Sequence, residues 1–351
     1  MKVALDISPL ASEDQVRGIG FYTQRLRDKL TLLASREGFF QLREFSGEPK
    51  EKVDIIHYPY FHPFFRTLPL FKGTKTIVTI HDLIPLKFPT HFPCGFKGKL
   101  NWWRQRFALF NVSAIITDSY VSKRDIVDLT GTPEVKIQVV YLAADKCFRP
   151  IKNRRYLEKL RRRYQLPNKF VLYVGDLNWN KNVPMLIRTC LECSYPLVVV
   201  GKQGLVMDFD KNHPENRDLV LFHKLASQYP DKIIRLGFIP TEDLVGIYNL
   251  ASFCVQPSFA EGFGLPVLEA MQSGCPVITS QATSLAEISG EAAWLINPYK
   301  QKELKRALVT LWQKSGIRRH LVSLGLRQAQ RFSWEKTAQE TLTVYQKAFK
   351  S

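Results

Sequence analysis

The chain has 351 residues, too many for one ordinary core and a fit for two domains of roughly 165–185 residues each. Its 45% hydrophobic and 12% aromatic content, without low-complexity tracts, is that of a globular chain, and the lack of an apolar run of bilayer length argues against a transmembrane helix. The net charge is +18, with 29 Lys+Arg against 16 Asp+Glu over residues 1–165 and 21 against 16 over 166–351, and such a basic surface draws nucleic acid, anionic lipid or phosphorylated substrates alike.

Met1 to Pro9 is too soon broken to be a signal segment. The six cysteines are scattered, and Cys190-Leu-Glu-Cys193 has no second pair or histidine cluster to complete a zinc site. A reduced, cytoplasmic protein is the expectation.

In chain order the pattern is strand, loop, helix, repeated, which predicts parallel sheets with crossover helices. Val3–Ile7 opens as a strand. A loop through Arg17-Gly18-Ile19-Gly20 leads into a helix over Phe21–Ala34. Asp54–His57 and Thr76–Ile80 are further strands, each ending at a polar residue, where a parallel sheet presents its ligand edge. Gly98 to Phe107 mixes aromatic and basic residues; a membrane interface suits them, but a helix packing its aromatics on the sheet is the commoner arrangement and the one favoured. Ala114–Thr117, a helix over Val121–Leu129 with Ser119 near its cap, and Ile137–Tyr141 follow. The basic run Lys152–Arg163 reads as a solvated helix, and a domain boundary is set at 165/166.

The second half repeats the scheme. Phe170–Val174 is a strand, Gly175–Asn182 its loop, Val183–Cys193 a helix and Leu197–Val200 a strand. Ile233–Leu236 is another strand, and Thr241 caps a helix through Leu250. Phe253–Val255 precedes Ser258-Phe-Ala-Glu261-Gly262-Phe263-Gly264-Leu265-Pro266-Val-Leu-Glu269. Here two carboxylates with seven residues between them bracket a Gly-Phe-Gly-Leu-Pro turn. Pro266 marks the start of a helix over Leu265–Gln272, and Gly274-Cys-Pro276 ends it before the next strand. Glu261 therefore precedes a helix N-terminus, Glu269 lies on that helix, and backbone N–H groups between them face any anion brought there. Ala293–Ile296 is a last strand. A helix capped by Ser333 runs to Phe349.

The stretch from Glu261 to Glu269, with its trailing Gly-Cys-Pro-Val-Ile, resembles the Glu-seven-residues-Glu motif of family 4 retaining glycosyltransferases. That resemblance covers nearly the whole chain and implies the GT-B fold: an α/β protein of two Rossmann-like parallel-sheet domains, 1–165 for the acceptor and 166–332 for the donor, with the active site in the cleft between them. It also implies that the helix over 333–351 crosses back to the first domain. The reaction implied is transfer of a hexose from a nucleotide-diphosphate sugar. Lys181 matches the lysine that holds the donor diphosphate, after Gly175 and before Asn182. Asp176 stands where an arginine is common, which leaves the second positive charge unassigned between Arg235 and the Gly18–Gly20 loop. That loop, a fragment of a dinucleotide fingerprint, would face the acceptor and donor phosphate, although a plain tight turn accounts for it equally well. His81, in His-Asp-Leu-Ile-Pro, corresponds to a histidine of the mannose-transferring members and would contact the donor sugar. Ser119 matches a family serine and serves equally as a helix cap.

In the implied division of labour, Lys181 and the amides around Gly262, Phe263, Gly264 and Leu265 meet the leaving diphosphate. Glu269 accepts the ribose hydroxyls, and Glu261 those of the sugar. The His-Asp and Asn-Lys-Asn elements favour GDP-mannose. No metal or other cofactor is expected. The acceptor would be a glycan, a lipid-linked sugar or a small molecule, with possible contact to the inner face of a membrane. A UDP-sugar transferase and a nucleotide-sugar epimerase of the same fold remain open. A basic nucleic-acid-binding protein does not fit, because no zinc, helix-turn-helix or RNA-binding aromatic motif is present.

Overall fold

A computed structural model describes residues 1–11, 18–49 and 51–351, so Arg17 of the glycine motif lies outside the described residues. The chain divides into two compact units, Met1–Ala143 with Phe332–Ser351, and Ala144–Arg331.

The first unit contains β1 (Lys2–Asp6), α1 (Gly18–Glu37), β2 (Gln41–Phe45), β3 (Ile55–Tyr58), β4 (Lys75–Thr79), α2 (Ile84–Lys87), α3 (Gly95–Phe110), β5 (Ala114–Thr117), α4 (Tyr120–Thr130) and β6 (Ile137–Val139). Its sheet runs β2-β1-β3-β4-β5-β6, and every pairing is parallel. The central strands are buried on both faces, as continuous apolar runs such as Ala-Ile-Ile-Thr require. β2 (Gln-Leu-Arg-Glu-Phe) is an exposed edge strand whose polar residues gave no strand signal in the sequence. Gly18 and Gly20 lie in the first turn of α1 rather than in a loop ahead of it.

The second unit contains α5 (Arg154–Arg163), β7 (Val171–Val174), α6 (Val183–Glu192), β8 (Leu197–Val200), α7 (Arg217–Gln228), β9 (Ile233–Gly237), α8 (Thr241–Leu250), β10 (Phe253–Gln256), α9 (Leu265–Gln272), β11 (Val277–Ser280), α10 (Ser284–Ser289), β12 (Trp294–Ile296), α11 (Gln301–Gln313) and α12 (Ser315–Ala329). Its parallel sheet runs β12-β11-β10-β7-β8-β9. The first strand of this half, β7, therefore sits beside its fourth, β10. That neighbour pair is the topological switch point, where loops leaving the carboxyl ends of the strands diverge and ligands bind.

The last helix, α13 (Trp334–Lys350), is part of the first unit. Ser333 Oγ caps it by accepting from Lys336 N at 3.1 Å. Along its length Lys29 pairs with Glu335 at 3.1 Å, Thr337 Oγ1 donates to Tyr141 O at 2.7 Å, and Tyr345 OH shares a 2.7 Å hydrogen bond with His57 Nδ1.

Two further expectations are corrected. The domain boundary lies at Ala143/Ala144, not 165/166, because α5 packs on α8. Leu160 is buried so tightly there that a Cβ on Gly246 would come within 2.2 Å of it. Arg163 pairs with Asp243 at 2.9 Å, and Tyr164 OH donates to the same carboxylate at 2.6 Å. Arg163 thus ties the end of the basic run to the acidic first turn of α8, while Lys152, Arg154, Arg155, Lys159 and Arg162 are exposed, as expected of a solvated helix. Second, α3 does not pack its aromatics on the sheet. Trp102 turns toward the core, but Phe96, Leu100, Trp103, Phe107 and Phe110 are exposed.

Candidate active site

In the second unit the loops after β7 and β10 are fastened to one another. Asn180 O accepts from Phe259 N at 2.7 Å, Asn180 Nδ2 donates to Ala260 O at 3.0 Å, and Trp179, Phe259 and Tyr299 form a continuous ring stack with centroids 5.0 and 4.8 Å apart. This clasp brings Lys181 to Glu261, whose two carboxylate oxygens accept from Nζ at 2.9 and 2.7 Å. Ser258 Oγ donates to the same carboxylate at 2.7 Å. With side-chain exposures of 23% and 11%, the ion pair is largely withdrawn from water, where charge attraction is stronger than at a surface.

The turn from Gly262 to Gly264 is held from below by Ser284, whose Oγ donates to Glu261 O at 2.8 Å and Phe263 O at 3.0 Å. Gly264 caps α9 with φ +111, where an L side chain is strained, and a Cβ there would come within 2.2 Å of Leu285. Phe263 is buried, so only its backbone is available to a ligand. In the first turn of α9, Val267 N donates to Gly264 O at 3.0 Å and Pro266 has no N–H, which leaves Leu265 N as the donor without an intrahelical acceptor. One turn into α9, Glu269 Oε2 accepts from the buried Tyr248 OH at 3.0 Å. Burial raises the Glu269 pKa to about 7 against the Tyr248 hydrogen bond, with the Asp145 charge adding to the rise.

The remaining expected residues of this unit divide. Gly175 (φ +144) lies against the β8 loop so closely that a Cβ on Gly201 would come within 2.2 Å of its carbonyl oxygen. Asn182 is buried with its Nδ2 donating to Pro257 O at 3.1 Å and Pro298 O at 2.8 Å, so it shapes the loops rather than offering its amide to a ligand. Arg235 lies on β9, two strands from β7, where its charge acts on His223. Lys202 is exposed in the β8 loop, one strand from β7, and the adjacent Gln203 is hydrogen-bonded to Leu177 N and Asn178.

In the first unit His81 follows β4, and its Nδ1 donates to Asp118 Oδ2 at 2.6 Å. Burial opposes a charge on His81, but the Asp118 charge and hydrogen bond, the Asp82 charge and the Pro59 carbonyl outweigh it and raise its pKa. Among the described residues, His81 Nε2 has no partner of hydrogen-bonding geometry although it is buried. Tyr22, one turn into α1, stands edge-on to the imidazole at 4.7 Å. Ser122 Oγ donates to His81 O at 2.9 Å, while Ser119 Oγ accepts from Ser122 N at 3.0 Å as the cap of α4. Behind this lies a buried hydrogen-bond chain, Tyr22–Thr79–His57–Tyr345, in which burial and the charge of His81 hold His57 neutral, with a pKa near 3.

Sequence reasoning missed Asp118, Tyr22, Tyr248, Ser258 and Ser284. Asp118 stood in plain view at the end of β5, next to a strand whose polar end had been noted; Tyr248 and Ser284 carry no local signal. Among the described residues, no group of three or more His, Cys, Asp or Glu side chains is placed to hold a metal.

Residues 6–146 match Glycosyltransferase Family 4, and residues 158–328 match Glycosyl transferases group 1. The O-antigen chain mannosyltransferase B of Escherichia coli is 30% identical over 324 residues, 90% of this chain and 78% of that protein. The serotype-specific mannosyltransferase WbdA of Escherichia coli is 29% identical over 275 residues; the match takes in 75% of this chain but only 32% of that longer protein. In fold, a sucrose-phosphate synthase from Thermosynechococcus elongatus superposes with a TM-score of 0.76 at 18% identity, covering 99% of each chain. The chain belongs to the family 4 glycosyltransferases and has their GT-B fold.

Proposed function

We propose that this glycosyltransferase moves mannose from GDP-mannose to a glycan, lipid-linked or small-molecule acceptor with retention of anomeric configuration. The observation that carries the reading is the Lys181–Glu261 pair at the β7/β10 switch point, one loop ahead of the α9 N-terminus. The mannosyltransferase names of relatives near 30% identity support the sugar.

Lys181 and the amides at Gly264 and Leu265 meet the developing charge on the diphosphate, and one such donor in a closed site is worth roughly 3–4 kcal/mol. Lys202, rather than Arg235, supplies the second cation that Asp176 does not, because its loop is tied to the β7 loop. Glu269 accepts the ribose diol once ionised, since a carboxylate without its proton is acceptor-only. Glu261, held by Lys181 and Ser258, accepts hydroxyls of the hexose. His81 offers Nε2 to the donor sugar near its anomeric carbon, and Asp118 positions and charges it. The leaving phosphate, on the same face as the incoming hydroxyl, takes that hydroxyl's proton. No metal takes part.

The test is a thermal-shift panel of GDP- and UDP-sugars on the wild type and Glu269→Ala. GDP-mannose at about 100 times its Kd should stabilise the wild type by roughly 2.7 kcal/mol, and Glu269→Ala should lose that shift while remaining folded. Stabilisation by UDP-sugars alone overturns the donor; an undiminished shift in Glu269→Ala overturns the site.

A further inference from the structure

We propose that α3 is an in-plane docking helix for a bilayer surface rich in anionic lipid, an inference that stands apart from the reading of the active site. Phe96, Leu100, Trp103, Phe107 and Phe110 follow one another at spacings of four, three, four and three, and they are 84%, 50%, 65%, 55% and 53% exposed. At the α-helical repeat this row falls within about 80° of arc. Lys97 and Arg104 flank it on one side, Lys99 and Arg106 on the other. The opposite face, with Gly98, Gln105, Ala108 and Leu109, is buried.

The neighbouring segment extends the surface. It is fastened along α3 by Asn101 Nδ2 donating to Phe64 O at 3.0 Å, Gln105 Nε2 to Leu68 O at 3.0 Å and Lys72 Nζ to Ala108 O at 2.6 Å. It displays Phe65 at 63% and Phe71 at 87% exposure, beside Arg66 and Lys72. Over residues 55–117 there are eight Lys or Arg and a single acid, Asp82.

Exposed aromatics in a continuous row, bracketed by cations on both sides, match the headgroup–acyl boundary of an anionic membrane. A second copy of the chain is a poorer fit, because a self-complementary contact would bring these cations against their own copies. Single-stranded nucleic acid is also a poorer fit, since an unbroken apolar row leaves no cation track between the rings.

The full chain is tested by flotation with neutral phosphatidylcholine vesicles and with vesicles carrying phosphatidylglycerol, alongside light scattering and a single-stranded RNA binding assay. Binding should require phosphatidylglycerol and weaken with salt. Lys97→Ala with Lys99→Ala should weaken it by roughly 30-fold, at about fivefold per cation, and Trp103→Ala with Phe107→Ala should abolish it. All four side chains are exposed, so circular dichroism melts should stay near wild type. The proposal is overturned if the chain does not float with phosphatidylglycerol vesicles, or if the aromatic variant floats like wild type. It is equally overturned if the variants instead abolish a dimer or RNA binding in a chain that ignores vesicles.

Discussion

Glu269 must be ionised to accept a diol, yet the fold favours its neutral form: burial has carried its pKa from the ordinary carboxylate range to about 7. A raised acid pKa means that stability is full below the unfolded value and falls as pH rises toward the folded one, here between about 4.5 and 7. The hydrogen bond from Tyr248 offsets only part of that cost. Glu269→Gln keeps the acceptor for Tyr248 and removes the ionisation. The variant should match wild type in urea melts at pH 4.5 and exceed it by about 1–3 kcal/mol at pH 8, while binding nucleotide like wild type at pH 4.5 and more weakly than wild type at pH 8, where the wild-type carboxylate is ionised. Wild-type nucleotide affinity should rise as pH passes 7. A stability difference that is the same at both pH values would show that Glu269 is not the titrating group.

At the level of elements, the turn into α9 fixes where the site amides point, and Gly264 is the residue that permits it. Gly264→Ala puts a Cβ at φ +111 and within 2.2 Å of Leu285 Cδ2. Backbone strain and repacking together should cost about 2–4 kcal/mol, and nucleotide-induced stabilisation should fall with it. A variant as stable as wild type that binds undiminished would show the cap to be adaptable. This turn was legible in the chain itself, because glycine, proline and an apolar period announce a helix start locally. The buried parallel strands Leu197–Val200 and Ala114–Thr117 were legible for the same reason. What could not be read depends on partners distant in sequence. Asp118 meets His81 across 37 residues, and Ser284 holds the Glu261 turn across 23. On α3, composition announced an amphipathic helix, but only packing decides that Trp102 turns in and Trp103 turns out.

For the whole molecule, the structural boundary redistributes the charge. Counted over 1–143 with 332–351, the first unit carries 23 Lys+Arg against 16 Asp+Glu, or +7, and the second 27 against 16, or +11. The basic helix α5 belongs to the second unit, so the apparent excess in the first half of the sequence came from a boundary drawn too late. The first unit is discontinuous in sequence and depends on its last helix. Within α13, Trp334, Leu342, Val344 and Tyr345 are at most 4% exposed, and burying side chains of this size contributes roughly 1.5–3 kcal/mol each. Their sum is comparable to the 5–15 kcal/mol that ordinarily separates folded from unfolded domains. Truncation after Arg331 should therefore unfold the first unit, also removing Tyr345 from His57, and leave Ala144–Arg331 intact. Calorimetry should then show one remaining transition that GDP-mannose still shifts upward, while transfer activity is lost. A truncated chain that retains a native first-unit transition would mean that α13 is dispensable to that core.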